Sequence, residues 1–194
     1  MLQLLSHSDG LTGVANRRFF SAQLEREFMR LQRLGEPLSL VMMDVDHFKA
    51  YNDHYGHLVG DECLSQISQA IQGALHRPGD LLARYGGEEF LVVALDSDLN
   101  DVATLGKRLL HDIGGTSIPL PNGGHLKVTA SIGAASLSKD DDQDNFIERA
   151  DGALYAAKQG GRNRLCSCPP AASQAVTKPE YVTVLAEPCL GGAA

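Results

Sequence analysis

The sequence predicts an α+β domain in which helices cover a mostly antiparallel sheet. Three observations carry that expectation. Long segments with apolar residues three or four apart alternate with short strand-like runs, one such run is apolar throughout and ends in acids, and a Gly-Gly pair joins two others as a hairpin. The chain has 194 residues, 43% of them apolar, which suffices for one sizeable core and argues for a single domain.

The elements follow in order. In "NRRFFSAQLEREFMRLQRLG", Phe20, Leu24, Phe28, Leu31 and Leu34 recur at helical spacing, with Asn16 as N-cap and Gly35 as stop. "LSLVMMDVD" is too short and too continuously apolar for a typical helix, so a buried central strand is expected, with Asp44 and Asp46 on one face. Residues 60–76 space Leu64, Ile67, Ile71 and Leu75 along a second long helix. "DLLARY" and "FLVVAL" flank Gly86-Gly87, and glycine supplies the positive φ that tight hairpin turns need. A helix over 99–112, a strand in "LKVTASIGAASL" and a last helix over 144–159 complete the order, the last with Phe146, Ile147, Ala150, Leu154 and Ala157 inward. The folded domain is expected to span 1–165. Beyond "GRNRLC", Pro169, Pro170, Pro179 and Pro188 and many small residues make 166–194 a tail expected to be flexible, with "YVTVL" as a candidate edge strand inside it.

A formal net charge of −7 argues against a general DNA or RNA binder, because affinity for a phosphate backbone rests on Lys and Arg. Any anionic ligand must meet a local basic cluster. The four cysteines, Cys63, Cys166, Cys168 and Cys189, imply no disulfide framework. "MLQLLSHSDG" has neither the basic start nor the apolar stretch of a secretion signal, and no window approaches a membrane span. A cytoplasmic setting is expected.

Acids concentrate at the end of the first strand and in the hairpin "RYGGEEF". If those strands are neighbours, Asp44 and Glu88-Glu89 converge, and a hard divalent cation with oxygen ligands relieves their repulsion most directly. Mg²⁺ binds through few carboxylates and fills its shell with phosphate oxygens, which hints at nucleotide chemistry. Taken singly, each feature also has a structural reading: an acidic turn can be merely solvated, and "DVD" can cap the next helix. An EF-hand is excluded, because "DVDHFKAYNDHY" has Lys49 in place of the sixth-position glycine and Tyr55 in place of the closing glutamate. His54, His57 and Cys63 fit no standard zinc spacing, and "CSC" at 166–168 is a weak metal signal. Lys49 follows the strand directly, while Lys158 and Arg162 lie where the last helix ends. Both residue types suit phosphate oxygens, though cations at a helix C-terminus also answer the macrodipole.

The joint pattern is more specific than its parts. "DGLTGVANRRFF", "DVDHFKAYNDHYGHLVGDE", "ARYGGEEF", "TASIGAA" and "ADGALYAAKQGGRN" occur in this order, and together they resemble the GGDEF domain of diguanylate cyclases over roughly residues 8–165. The resemblance implies a sheet like the palm of nucleotide cyclases and polymerases. It also implies condensation of two GTP molecules into cyclic di-GMP and two pyrophosphates, across a symmetric homodimer that holds one GTP per subunit.

By that resemblance Asp44, Glu88 and the Val45 carbonyl would hold metal, with two Mg²⁺ (or Mn²⁺) ions per active site activating the 3′-hydroxyl. Glu88 would also promote loss of the hydroxyl proton, and Glu89 would support the site and the nucleotide. Lys49, Lys158 and Arg162 match phosphate contacts, helped by the backbone N–H groups of His47 and Phe48 at a helix start. Asn52 and Asp61 match positions that read guanine, although Asp61 can instead be a helix N-cap. "RPGD", Arg77 to Asp80, resembles the family's inhibitory RxxD site for the product. A given RxxD frame arises by chance on the order of once in 250, so its family-like placement favours the functional reading. Arg108 is a further candidate for that site, from a neighbouring helix or subunit.

Two rival readings remain. One is a catalytically silent receptor that binds cyclic di-GMP through Arg77 and Asp80; intact Asp44, Glu88 and Glu89 argue against it. The other is a palm-like cyclase that acts within one nucleotide. Such domains commonly follow a sensory or receiver domain that sets dimer geometry, so two alternatives stand open: an N-terminal domain of that kind outside this chain, or a domain without that partner.

Overall fold

The computed structural model describes residues 7–169 and 181–186. A seven-stranded sheet runs in the order β1-β3-β4-β2-β7-β8-β9. Its strands are β1 (Ala15–Asn16), β2 (Leu38–Val45), β3 (Leu81–Gly86), β4 (Glu89–Leu95), β7 (Ala130–Ser136), β8 (Arg164–Cys168) and β9 (Val182–Leu185), while β5 (Ile118–Pro119) and β6 (His125–Leu126) form a separate small hairpin. The helices are α1 (Arg17–Leu34), α2 (Phe48–Tyr55), α3 (His57–Ala74), α4 (Leu99–Gly115) and α5 (Gln143–Gln159). The pairs β2·β4, β2·β7, β3·β4 and β8·β9 are antiparallel and only β1·β3 and β7·β8 are parallel, so the expected α+β class with a mostly antiparallel sheet holds.

β2 lies centrally and is buried on both faces, which is why its sequence is apolar without a break. Val41, Met43 and Val45 pack with α3 and α4, including Leu64, Ile67, Ile71 and Leu109. Leu38, Leu40 and Met42 pack on the other face with Phe20 and Phe28 of α1 and with Phe146 and Leu154 of α5. The period of two sorts the strand's side chains into these two layers. Asp44 continues the α1/α5 face to the strand's end. The helices and strands expected between residues 16 and 159 hold to within a few residues, with Asn16 accepting from the Phe19 N–H as N-cap and Gly35 closing α1 at φ 71°.

α5 lies unusually close to the sheet. A Cβ at Gly133 of β7 would come within 2.1 Å of the Leu154 backbone nitrogen and 2.4 Å of the Ala150 carbonyl oxygen. Glycine is therefore needed there for approach, not for its freedom of φ.

Three details differ from expectation. The hairpin turn consists of Gly87 and Glu88, flanked by the pair Gly86 and Glu89, with an irregularity between Arg84 and Gly86. Only Gly87 of the two glycines takes a positive φ, 49°. A short helix, α2, precedes the long one, and the two are separated by Gly56 at φ 86°, a value that a side chain would strain. Finally, the sheet extends past the boundary expected at residue 165. β8 runs on to Cys168; it pairs with β7, and Leu165 is buried against α4 while Cys166 and Cys168 are buried under α5. The proline-rich composition begins only after this strand. The candidate strand in "YVTVL" is β9, at the sheet edge. Other parts of the expected tail, Cys189 included, lie outside the described residues. No helix among the described residues is long and apolar enough to cross a membrane.

Candidate active site

The register of the sheet assembles the acids. Asp44 of β2 stands directly opposite Glu89 of β4, and the Val45 N–H donates to the Glu88 carbonyl at 3.3 Å. Side chains directly opposite in an antiparallel pair share a face, with Cβ atoms about 5 Å apart. Burial first, then the Asp44 charge, pushes the Glu89 carboxyl above its usual range; Glu88 adds to the rise and Lys158 counters it. The expected convergence of Asp44, Glu88 and Glu89 is thus present, with Glu89 rather than Glu88 nearest to Asp44 in the ladder.

Lys158, in the last turn of α5, reaches this cluster and bonds Asp44 Oδ2 at 2.7 Å. Among the described residues no group of three or more His, Cys, Asp or Glu side chains would by itself hold a metal ion. The donor set is nevertheless hard and anionic, and a cationic ammonium already sits on Asp44. That fits Mg²⁺, which needs one or two carboxylates and takes its other oxygens from water and phosphate.

The hairpin tip is held from below. Arg84 donates from Nε to the Gly87 carbonyl at 2.9 Å and from Nη1 to Asp9 Oδ1 at 3.3 Å. Asp9 also accepts from the Leu11 and Thr12 N–H groups and the Thr12 hydroxyl; burial works to raise its pKa, but the Thr12 bonds and Arg84 bring it below the usual value. The turn before α1 is thereby tied to the acidic turn. Sequence reasoning did not single out Arg84 or Asp9; a lone arginine in an apolar strand, two residues before the glycines, was the available signal.

A third missed residue is Asp46. It is 7% exposed and accepts from Ser131 Oγ and Thr129 Oγ1, each at 2.6 Å, and from the Asn163 N–H at 3.1 Å. It and Asp44 both serve the C-terminal end of α5, as the shared face implied, but Asp46 is fully engaged inside the protein.

Of the remaining candidates, Lys49 is exposed on α2, and His47 and Phe48 form that helix's start, with His47 at φ 58°. Asn52 on α2 packs against α3 at Gly60, where a Cβ would lie 1.8 Å from Asn52 Oδ1. That oxygen is buried with no hydrogen-bond partner among the described residues, and exposed Asp61 follows Gly60 directly. Asp61 lies inside α3, which starts at His57, so the N-cap alternative for it does not hold. Arg162 is exposed just past α5 at φ 62°.

Arg77, Asp80 and Arg108 come together at the other end of the β3·β4 hairpin, around a recess of about 170 Å³ that also takes in His76 and Asp101. Arg77 donates to the Asp96 carbonyl, Ser97 Oγ and Asp101 Oδ1 at 2.6–2.8 Å. Asp80 accepts from the Leu95 N–H, and burial raises its pKa. The buried Nε–H of Arg108 has no partner among the described residues. Arg108 therefore reaches this site from α4 of the same chain.

An acid-bearing hairpin opposite the acidic end of a central strand, on a mostly antiparallel sheet flanked by helices, defines a palm-like nucleotide-cyclase domain. Residues 6–164 match the family described as "Diguanylate cyclase, GGDEF domain", and the chain belongs to that family. It is 40% identical over 157 residues to diguanylate cyclase DosC of Escherichia coli K12, covering 81% of this chain and 34% of that protein. It is 37% identical over 161 residues to the response regulator PleD of Caulobacter vibrioides, covering 82% and 35%. The chain thus spans about a third of the length of these relatives. Among solved structures it is similar to the GGDEF domain of DgcB from Caulobacter crescentus in complex with c-di-GMP, with a TM-score of 0.80, 33% identity and coverage of 86% of this chain and 96% of that one. Diguanylate cyclase SiaD of Pseudomonas aeruginosa, solved with its activator SiaC, gives a TM-score of 0.78 at 37% identity, with coverage of 86% and 62%.

Proposed function

We propose that this domain condenses two GTP molecules into cyclic di-GMP, one GTP being held by each of two facing copies. The observation that carries the reading is the Asp44–Glu89 pair across β2 and β4, with Glu88 beside it and Lys158 2.7 Å from Asp44. Clustered carboxylates, here with Glu89 pushed above its usual range by burial and by the Asp44 charge, are unfavourable alone and become favourable when cations share them. Asp44, Glu88 and the Val45 carbonyl would hold two Mg²⁺ ions. When bound, the ions supply charge neutralisation for the triphosphate and acidify the attacking 3′-hydroxyl.

The chain's own groups do the rest. Lys158 exchanges Asp44 for phosphate oxygens as substrate arrives, while Lys49, Arg162 and the His47 and Phe48 N–H groups neutralise the departing pyrophosphate. Glu88, at the turn, takes the proton of the 3′-hydroxyl. Asn52, with its unpaired buried oxygen, and Asp61 accept from the donor edge of guanine, so adenine would leave them unpaired. The recess of Arg77, Asp80 and Arg108 takes the phosphates of the product and slows the enzyme.

Concentrated protein incubated with GTP and Mg²⁺, its nucleotides resolved by chromatography with mass detection, should yield cyclic di-GMP. Glu88→Gln should lower that yield by about 100-fold or more. Binding of cyclic di-GMP with no synthesis would favour a receptor instead, and a Glu88→Gln variant as active as the parent would remove Glu88 from its role.

A further inference from the structure

Asp46 is a charged residue almost wholly inside the protein, and none of the roles above uses it. Its backbone N–H donates to the Thr129 carbonyl at 2.9 Å, and its carboxylate collects Ser131 Oγ and Thr129 Oγ1 at the start of β7 and the Asn163 N–H beyond α5. A buried carboxylate costs several kcal/mol unless donors surround it, as they do here.

The backbone around it is unusual. Four non-glycine residues among those described have positive φ, and three of them adjoin Asp46: His47 (58°) next in sequence, and Arg162 (62°) and Asn163 (46°) across the carboxylate. Left-handed backbone is uncommon for a residue with a side chain, though His and Asn tolerate it better than Arg, and it persists where the surroundings hold it. One of these segments opens α2, ahead of Lys49; the other carries Arg162 and follows Lys158. They are the two segments assigned above to the phosphates.

We infer that Asp46 is a positioning residue that clamps both phosphate-binding segments against the start of β7, setting affinity for the triphosphate without touching it. The inference rests on the GTP reading above. Asn52 and Asp61, which would read the base, lie on α2 and α3 beyond the clamp, so its loss should act on phosphate recognition selectively. A merely structural Asp46 would change the folded fraction and weaken all ligands alike.

The test is an NMR titration with 3′-deoxy-GTP, which lacks the nucleophile and cannot turn over, against 3′-deoxyguanosine, both with Mg²⁺. The parent should bind the triphosphate far more tightly. Asp46→Ala should weaken 3′-deoxy-GTP about tenfold or more, comparable to losing one charge-assisted hydrogen bond, and 3′-deoxyguanosine less than about threefold. Asp46→Asn should stay within about threefold of the parent for both, because its amide oxygen can accept from Thr129 and Asn163 while the Ser131 hydroxyl turns to accept from its NH₂. If Asp46→Ala does not fold, the pair Thr129→Val and Ser131→Ala removes two donors and should weaken the triphosphate selectively by about threefold or more. Equal weakening of both ligands, or no weakening, overturns the clamp. A parent that does not distinguish the two ligands overturns the GTP reading itself, and the clamp with it.

Discussion

Glu89 is the residue whose protonation the fold alters most instructively. Burial and Asp44 raise its pKa, so the native state holds its proton more tightly than the unfolded chain does. Stability from this group is therefore greatest below the unfolded value and falls as pH rises through the window between the unfolded and folded values. Glu89→Gln should raise Tm at pH 7.5 by about 1–2 °C, a small effect because solvent screens the exposed side chain. The gain should shrink towards zero as pH falls through about 4. Melts across that range check it, and a gain of equal size in acid would mean that packing rather than charge is responsible.

At the scale of elements, α5 depends on the bare backbone of β7. Gly133→Ala sets a methyl against backbone atoms of α5 that cannot rotate away, with an expected cost of about 3 kcal/mol and a Tm loss of about 6–12 °C. Gly73→Ala is the control: nothing lies within 4 Å of its Cβ position on α3, and alanine should leave Tm unchanged or raise it. Scanning calorimetry of both variants separates approach from propensity. α1, β2, the hairpin and α5 were legible because each pairs a clear apolar period with its own stop signals, as with Asn16 and Gly35 or the continuous run before Asp44. β8 was not, because the burial of Cys166 and Cys168 comes from β7 and α5, far away in sequence; β9 was legible only as a candidate edge strand, because the composition after Pro169 resembles a tail. The convergence of Asp44 with Glu88 and Glu89 was legible only on the condition that their strands are neighbours, which the β2·β4 pairing meets. The role of Asp46 did not, since nothing in "DVD" tells a solvated second acid from one collecting donors at residues 129, 131 and 163.

For the whole molecule, the proposed reaction needs two copies to face each other. Where the chain is mostly dissociated, specific activity should rise in proportion to protein concentration, because the fraction paired does. Initial rates over a hundredfold dilution series read this directly. A flat profile would mean either a preformed pair or chemistry within one copy, and sedimentation at the same concentrations tells these apart. The strand order has a further, mechanical consequence. β1 borders β3, so a pull applied ahead of α1 meets the acidic hairpin at once, and the Asp9–Arg84 link hands it on to the turn. A pull applied after β9 enters at the opposite edge and must cross β8, β7 and β2 before it reaches β4. As a lever on the acidic hairpin, the molecule is one-sided: the front edge adjoins that turn, whereas the back edge adjoins the segment of Arg162 and lies three strands from the hairpin.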